Sequence, residues 1–300
     1  MRVLVTGGAG YIGSVLVPML LDEGHEVTVL DNFLYGANSL ALHCRNKNFE
    51  VFKVDCRDIE AVRPHLNHDV VIPLASLVGA PLCNLNPVDA RLLNLNAPLE
   101  LFEELGEQRV LMPTTESSYG SNAEVCTEET ELNPLSTYAD HKVEVENALL
   151  DRGNCVSLRL ATVFGMSPRM RLDLLVNDFT WRALKDRAFV VFEGKYRRTC
   201  VHVTDVARAF IHAMNLELDG VYNVGAVTLT KLSLCEEIAK QQPFTYLEAD
   251  FGKDSDQRDY IVSDEKIRKT GFVPEVTLET GIAELLKGFR MLRNTVHGNV

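Results

Sequence analysis

Between a short β-branched run at residues 2–6 and an apolar stretch of helical spacing at 14–21 lies Gly7-Gly8-Ala9-Gly10-Tyr11-Ile12-Gly13. Glycines in this G-x-x-G-x-x-G pattern let the backbone approach a pyrophosphate. The helix that follows presents free N–H groups and its positive dipole end to the anion. The chain is thereby committed at its start to strand, loop and helix, in that order. A second strand at 26–30 ends on Asp31. A carboxylate there suits both hydroxyls of an adenosine ribose and repels a 2′-phosphate, so loop and Asp31 together predict NAD rather than NADP. Asp55, closing a third strand in VDCRD, is placed to meet the adenine amine, or is an ordinary capping Asp. The predicted cofactor contacts here are Gly7, Gly10, Tyr11, Ile12, Gly13, Asp31, Asn32, Asp55 and Cys56, with Leu74 and Ala75 after the fourth strand.

Strands are predicted at 49–54, 70–73, 110–113 and 155–160, separated by helical stretches such as 90–105 and 138–150. Strands alternating with helices imply an α/β fold, a doubly wound parallel sheet of the Rossmann type covered on both faces. After Gly165 the rhythm becomes irregular and dotted with Arg, then returns to strand and helix at 200–214 and to a strand at 220–224. The predicted division is a nucleotide-binding domain at 1–165 and 198–225, and a smaller α/β substrate-binding lobe from insertions at 166–197 and 226–288. Residues 289–300 read as a tail.

Composition narrows the partners. A net charge of −12 argues against nucleic acid or a membrane surface, both polyanionic. Cys44, Cys56, Cys83, Cys126, Cys155, Cys200 and Cys235 are odd in number and never spaced C-x-x-C, which predicts reduced thiols of a cytoplasmic protein and no metal site. No apolar run approaches the roughly 20 residues that span a bilayer, and no cleavable signal is expected ahead of the first strand.

In Tyr138-Ala139-Asp140-His141-Lys142 the Tyr and Lys share one face if the stretch is helical. An ammonium beside a phenol favours the phenolate, lowering its pKa from about 10 towards working pH, where it can take a proton from an alcohol. The pair alone is also a common accident of solvated helix faces.

With TGGAGYIG, Asp31, Thr114-Thr115-Glu116-Ser117-Ser118-Tyr119-Gly120 and Tyr138…Lys142 in order, the chain resembles the extended short-chain dehydrogenase/reductases that act on nucleotide sugars. RRTCVHVTDV, YNVG and RDY later in the chain agree. Within that family, IPLASLVGAPLCNLNP and LATVFGMSPRMRLDLLVNDFTWRA make it most similar to dehydrogenases that oxidise C4 of GDP-linked heptose in bacterial capsule synthesis. The resemblance implies that Tyr138 is the base, Lys142 holds the nicotinamide ribose and keeps the Tyr acidic, and Thr115 hydrogen-bonds the same sugar oxygen. It implies cofactor support from Asn94, diphosphate binding by Arg198 and Arg258, and a homodimer through the helices at 90–105 and 138–150. Cys83 in the loop after the fourth strand, and Arg169, Arg171 and Asn177 with Asp178, are expected to face the nucleotide-sugar pocket, with inert wall or charged loop as their plainer readings.

Family members that dehydrate after oxidation carry an acidic pair after the Thr; here the pair is Glu116-Ser117. Glu116 could donate a proton, or be a solvated or sugar-binding carboxylate, but C5 deprotonation lacks an agent. The expectation is therefore a 4-keto sugar as product. 4-Epimerisation is the alternative, 4,6-dehydration is disfavoured, and a regulator that senses NAD without catalysis is the rival from another class.

Overall fold

The structure, a computed structural model, describes residues 1–122, 124–249 and 259–292. Seven parallel strands form the central sheet in the spatial order Gly220–Val224, Cys155–Leu160, Arg109–Thr115, Val70–Pro73, Arg2–Thr6, Glu26–Asp31, Phe49–Lys53. Its middle strands are buried on both faces: every residue of Val70–Pro73 and of Cys155–Leu160 is inside. Val70–Pro73 accordingly reads as an apolar run, whereas Cys155–Leu160 also buries the polar Ser157 and Arg159.

From Arg2–Thr6 the chain winds outward through two strands, then returns to the other side at Val70–Pro73. At such a reversal the helices on either side leave a crevice beyond the carboxyl ends of the strands. Thr6 and Pro73 are paired at that edge, so the loops after them, beginning at Gly7 and Leu74, lie side by side. The strand Arg109–Thr115 widens the opening. It is registered with Val70–Pro73 only at Arg109 and Val110, but follows Cys155–Leu160 from Val110 to Thr115. Pro113, which has no N–H to give a ladder, sits in this diverging part.

The helix Thr137–Arg152 is capped by Ser136, whose hydroxyl accepts from Ala139 N at 3.3 Å, and stops at Gly153, where φ is +75°. The single helix expected at 90–105 is instead Pro87–Arg91, a π turn Leu92–Asn96 and Ala97–Glu104. The wide turn is where Asn94 enters the interior, fully buried.

The two insertions meet each other: Ala188–Phe192 pairs in parallel with Thr245–Ala249. Their apolar residues join one continuous core with the sheet, in which Val3 and Leu158 belong to the same cluster as Phe179, Phe189 and Phe289. Phe289, expected to begin the tail, ends the helix Leu278–Phe289 fully buried, its ring edge-on to Trp181 at 5.3 Å. Residues 293–300 of the expected tail lie outside the described residues. Among the described residues no helix is long and apolar enough to cross a membrane.

Candidate active site

A cavity of about 1260 Å³ opens at the switch point. Gly7, Gly10, Tyr11, Ile12, Gly13, Asp31, Asn32, Asp55, Cys56, Leu74 and Ala75 all line it, as do Thr115, Tyr138, Lys142, Arg169, Arg171 and Arg198. The glycine loop is a close-packed cradle. At Gly7 φ is +69°, and a Cβ would stand 2.6 Å from Ala75 N; a Cβ on Gly13 would stand 2.6 Å from Gly8 Cα. The helix Gly13–Asp22 starts without a side-chain cap, and Tyr11, Ile12 and Gly13 at its start line the cavity, where backbone N–H groups can serve an anion. Asp31 is held ready: its carboxylate accepts from Ala9 N at 2.9 Å and Phe33 N at 2.7 Å. Burial raises its pKa, and these two N–H groups pull the other way. Asp55 is gripped by Arg57 through both oxygens, at 2.9 and 2.7 Å, with Asn32 Nδ2 at 3.4 Å, and its pKa falls to about 2.

One face of the helix Thr137–Arg152 carries Tyr138, Lys142 and Glu146 at successive four-residue steps. Glu146 fixes that face to the sheet. Its carboxylate accepts from Thr114 Oγ1 at 2.9 Å, Ser157 Oγ at 2.6 Å and Arg159 Nη2 at 2.6 Å, all buried. Lys142, 3 % exposed, donates to Pro113 O at 3.4 Å. Burial lowers its pKa to about 8, with the Cys83 thiol opposing the shift. The Tyr138 ring packs on the cluster of Leu77, Leu82, Cys83 and Ala90. Thr115 ends its strand with its hydroxyl 2.5 Å from Ser117 Oγ.

The buried ammonium has a stability consequence. Its charged form is disfavoured between the folded pKa of about 8 and the unfolded value of 10.5. The unfolded chain therefore binds more protons in that window, and stability rises with pH across it. Lys142→Met is expected to stabilise the cofactor-free protein by about 3 kcal/mol at pH 7, the advantage closing as pH rises past 8 towards 10. Urea unfolding of both proteins across that range reads it; a gap that does not narrow would remove the assigned cause.

Several expected residues stand elsewhere. Glu116 is fully buried and off the cavity wall. The neighbouring turn directs it inward, where a Cβ on Gly225 would lie 3.5 Å from its Oε1, and its charge helps raise the pKa of Cys200 and Cys126. Ser117, not Glu116, reaches the cavity. Cys83 lies behind the wall, its thiol donating to Leu77 O at 3.2 Å. Asn94 also acts from behind. Its Oδ1 accepts from Leu77 N and Ser76 Oγ, both at 2.8 Å, and its Nδ2 donates to Leu77 O at 2.7 Å, clamping the loop that lines the cavity.

Asn177 is a latch between segments rather than a cavity residue. Its Oδ1 accepts from Gly165 N at 3.0 Å, and its Nδ2 donates to Arg171 O at 2.8 Å and Tyr11 Oη at 3.2 Å. Tyr11 in turn donates to Gly165 O at 2.7 Å, and Ser167 donates to Tyr11 O at 2.8 Å. Gly165 itself has φ +114°, and the His202 ring occupies the space a Cβ would need. The next helix residue, Asp178, does line the cavity; burial raises its pKa, and Arg182 lies 3.5 Å away.

Arg169 lies with its guanidinium 3.9 Å over the Tyr35 ring, and Arg171 is paired with Asp173. Arg198, 3 % exposed, donates to Arg197 O at 2.9 Å. Arg258 lies outside the described residues. Lys231, Phe189 and Phe192 also line the cavity and were not expected, and Tyr260 of the RDY stretch joins them. No local motif announces the first three, because each comes from a segment far along the chain from the glycine loop.

A Gly-lined crevice at the switch point, a carboxylate held at the end of the second strand and a Tyr/Lys helix face are the parts from which a short-chain dehydrogenase/reductase is made. The chain belongs to the NAD dependent epimerase/dehydratase family, whose model matches residues 3–225. It is 28% identical over 310 residues to UDP-glucuronic acid decarboxylase 1 of Arabidopsis thaliana, covering 97% of this chain and 70% of the relative. Among solved structures it is similar to UDP-glucose 4-epimerase of Thermus thermophilus in complex with NAD, at 30% identity and TM-score 0.84, covering 97% of this chain and 99% of that one. UDP-glucose 4-epimerase of Thermotoga maritima, solved with UDP-glucose, gives 28% identity and TM-score 0.84 over 97% and 99% of the two chains. The protein is an enzyme of this family with NAD as cofactor. Its close-packed loop, uncapped helix start and pre-oriented Asp31 fit the pyrophosphate and adenosine ribose.

Proposed function

We propose that this enzyme oxidises the C4 hydroxyl of a nucleotide-linked hexose or heptose, GDP-linked, to the 4-keto sugar. The observation that carries the reading is the opening of Tyr138, Lys142 and Thr115 into the same cavity as the glycine loop and Asp31. NAD, when bound, supplies the acceptor for the hydride that leaves C4. The chain's own work is to move and hold protons. Tyr138 Oη takes the hydroxyl proton as the C4–O bond becomes a carbonyl. The Lys142 ammonium lowers the cost of the phenolate that must exist beforehand. Thr115 fixes the sugar oxygen beside the phenol. Arg198 is assigned to the diphosphate, for which a guanidinium fork is suited.

A second reading, 4-epimerisation, shares every one of these steps and differs only in the ketone being reduced from its other face. The likeness to two UDP-glucose 4-epimerases favours keeping it. Dehydration is less supported, because the residue after Thr115 that reaches the cavity is a hydroxyl, Ser117, and Glu116 faces away from it. The GDP specificity rests on the sequence resemblance in the segments around Cys83 and Arg169. A homodimer through Pro87–Arg91, Ala97–Glu104 and Thr137–Arg152 belongs to the same reading. Exposed Val88 and Leu92 on that side support it. A sedimentation mass of twice the 33.5 kDa chain is expected, and a single-chain mass at micromolar concentration would remove it.

Anaerobic incubation of the enzyme with GDP- and UDP-sugars, followed by mass and NMR analysis, tests the function. A product lighter by two hydrogens is expected with a GDP sugar. Unchanged mass with inverted C4 converts the reading to the epimerase, and loss of water or of carbon dioxide overturns both.

A further inference from the structure

We propose that Ser117 is a positioning residue that sets which way the Thr115 hydroxyl proton points, an inference that rests on Thr115 touching the reacting sugar oxygen. Thr115 ends the strand Arg109–Thr115 in extended backbone and caps the short helical turn Glu116–Tyr119. Its Oγ1 accepts from Ser117 N at 3.1 Å, and Ser117 Oγ lies 2.5 Å from the same atom. Both side chains line the cavity, yet Thr115 is only 8 % exposed and Ser117 4 %. Water therefore has little room to scramble their hydrogen bonds.

A hydroxyl has one proton and two lone pairs. The Ser117 N–H already takes one lone pair of Thr115, which leaves two arrangements of the hydroxyl pair. If Thr115 donates to Ser117, its proton is used and it can offer the sugar oxygen nothing but a lone pair. If Ser117 donates to Thr115, both Thr115 lone pairs are used and its proton has to face the cavity. Only the second arrangement presents a donor to the C4 oxygen. That oxygen carries growing negative charge once its proton has gone to Tyr138, which is when a fixed donor is worth most. Ser117 then stands at the head of a one-way chain, from Ser117 O–H to Thr115 O–H to the sugar oxygen, and each link polarises the next in the low-dielectric wall. The same orientation serves the reverse reaction, because a carbonyl oxygen also requires a donor.

In the proposed role Ser117, though on the cavity wall, acts through Thr115 and not on the sugar by itself, so the two residues should be strongly non-additive. The test is a cycle of wild type, Ser117→Ala, Thr115→Val and the double variant, with kcat and KM measured on the nucleotide sugar that the panel identifies. Ser117→Ala is expected to lower kcat about tenfold with KM for the sugar within about twofold. In the Thr115→Val background the same change should cost less than about twofold. Ser117→Thr, which keeps the hydroxyl, should restore kcat to within about threefold, and Ser117→Cys, a weak donor of similar size, should fall between. Near-UV circular dichroism and thermal melting check that each variant is folded. A tenfold loss from Ser117→Ala that persists in the Thr115→Val background would overturn the proposal, as would wild-type kcat in Ser117→Ala. Wild-type kcat in Thr115→Val is a separate failure: it removes Thr115 from the reaction, and with it the reading on which the inference stands.

Discussion

Tyr138→Phe is expected to lower turnover by about a thousandfold while the protein still folds and still binds NAD. The phenol is the one group assigned to accept the C4 hydroxyl proton. The ring is a separate matter, since it packs on Leu77, Leu82, Cys83 and Ala90 and phenylalanine keeps that packing. Gly7 and Asp31, the expected cofactor contacts, lie on other elements, after Arg2–Thr6 and at the end of Glu26–Asp31. Steady-state kinetics on the identified sugar, with NAD binding followed by fluorescence, separate the two effects. Activity within about tenfold of wild type would take the proton-accepting role away from Tyr138. Loss of NAD binding in parallel would show that the phenol holds the cofactor rather than the substrate proton.

Arg159→Met is expected to cost about 3–5 kcal/mol of unfolding free energy, because it strands a buried carboxylate. Glu146 is 2 % exposed and Arg159 5 %, and the guanidinium reaches Glu146 Oε1 at 2.6 Å. Thr114 and Ser157 would still donate to the carboxylate, but neither carries charge. Removing the acid as well, as Arg159→Met with Glu146→Leu, should recover much of the loss, since a buried pair replaced by apolar residues of similar volume is often near neutral. Urea unfolding of the two variants measures this. A single-variant loss below about 1 kcal/mol would mean that the pair does not hold the helix. Catalysis should suffer in both variants, because Glu146 lies on the helix face that carries Tyr138 and Lys142.

The sheet could be read from the chain because its signals are local. Arg2–Thr6, Val70–Pro73, Cys155–Leu160 and Gly220–Val224 fall where apolar runs between turn residues place them. The glycine loop and Asp31 are legible for the same reason, each being a few residues whose neighbours in space are also neighbours in sequence. Side-chain direction is not local in that sense. Asn177 and Asp178 are adjacent on a helix and so point about 100° apart; nothing in the sequence said which would face the cavity, and it is Asp178. Glu116 and Ser117 pose the same problem at the end of a strand, where one turn decides that the carboxylate goes inward and the hydroxyl outward. The broken helix around Asn94 was missed because a π turn has no composition of its own. Lys231 and Phe192 were invisible because only contacts between distant segments bring them to the site: Phe192 pairs with Ala249, and Lys231, next to the Thr230 that pairs with Arg197, donates to Phe192 O at 3.0 Å.

The junction at Gly165 bears on the order of events at the site. Its carbonyl is held by Tyr11 of the glycine loop and its N–H by Asn177 of the helix Leu175–Lys185, so one residue ties the glycine loop to the segment that carries Arg169 and Arg171. The two segments are thereby registered against each other by the fold itself. The entropy of aligning them is lost once, as the chain folds, and does not recur at each encounter with substrate. In the proposed reaction, a sugar nucleotide bound by Arg169 and Arg171 would meet the glycine loop at a separation that this junction helps to fix.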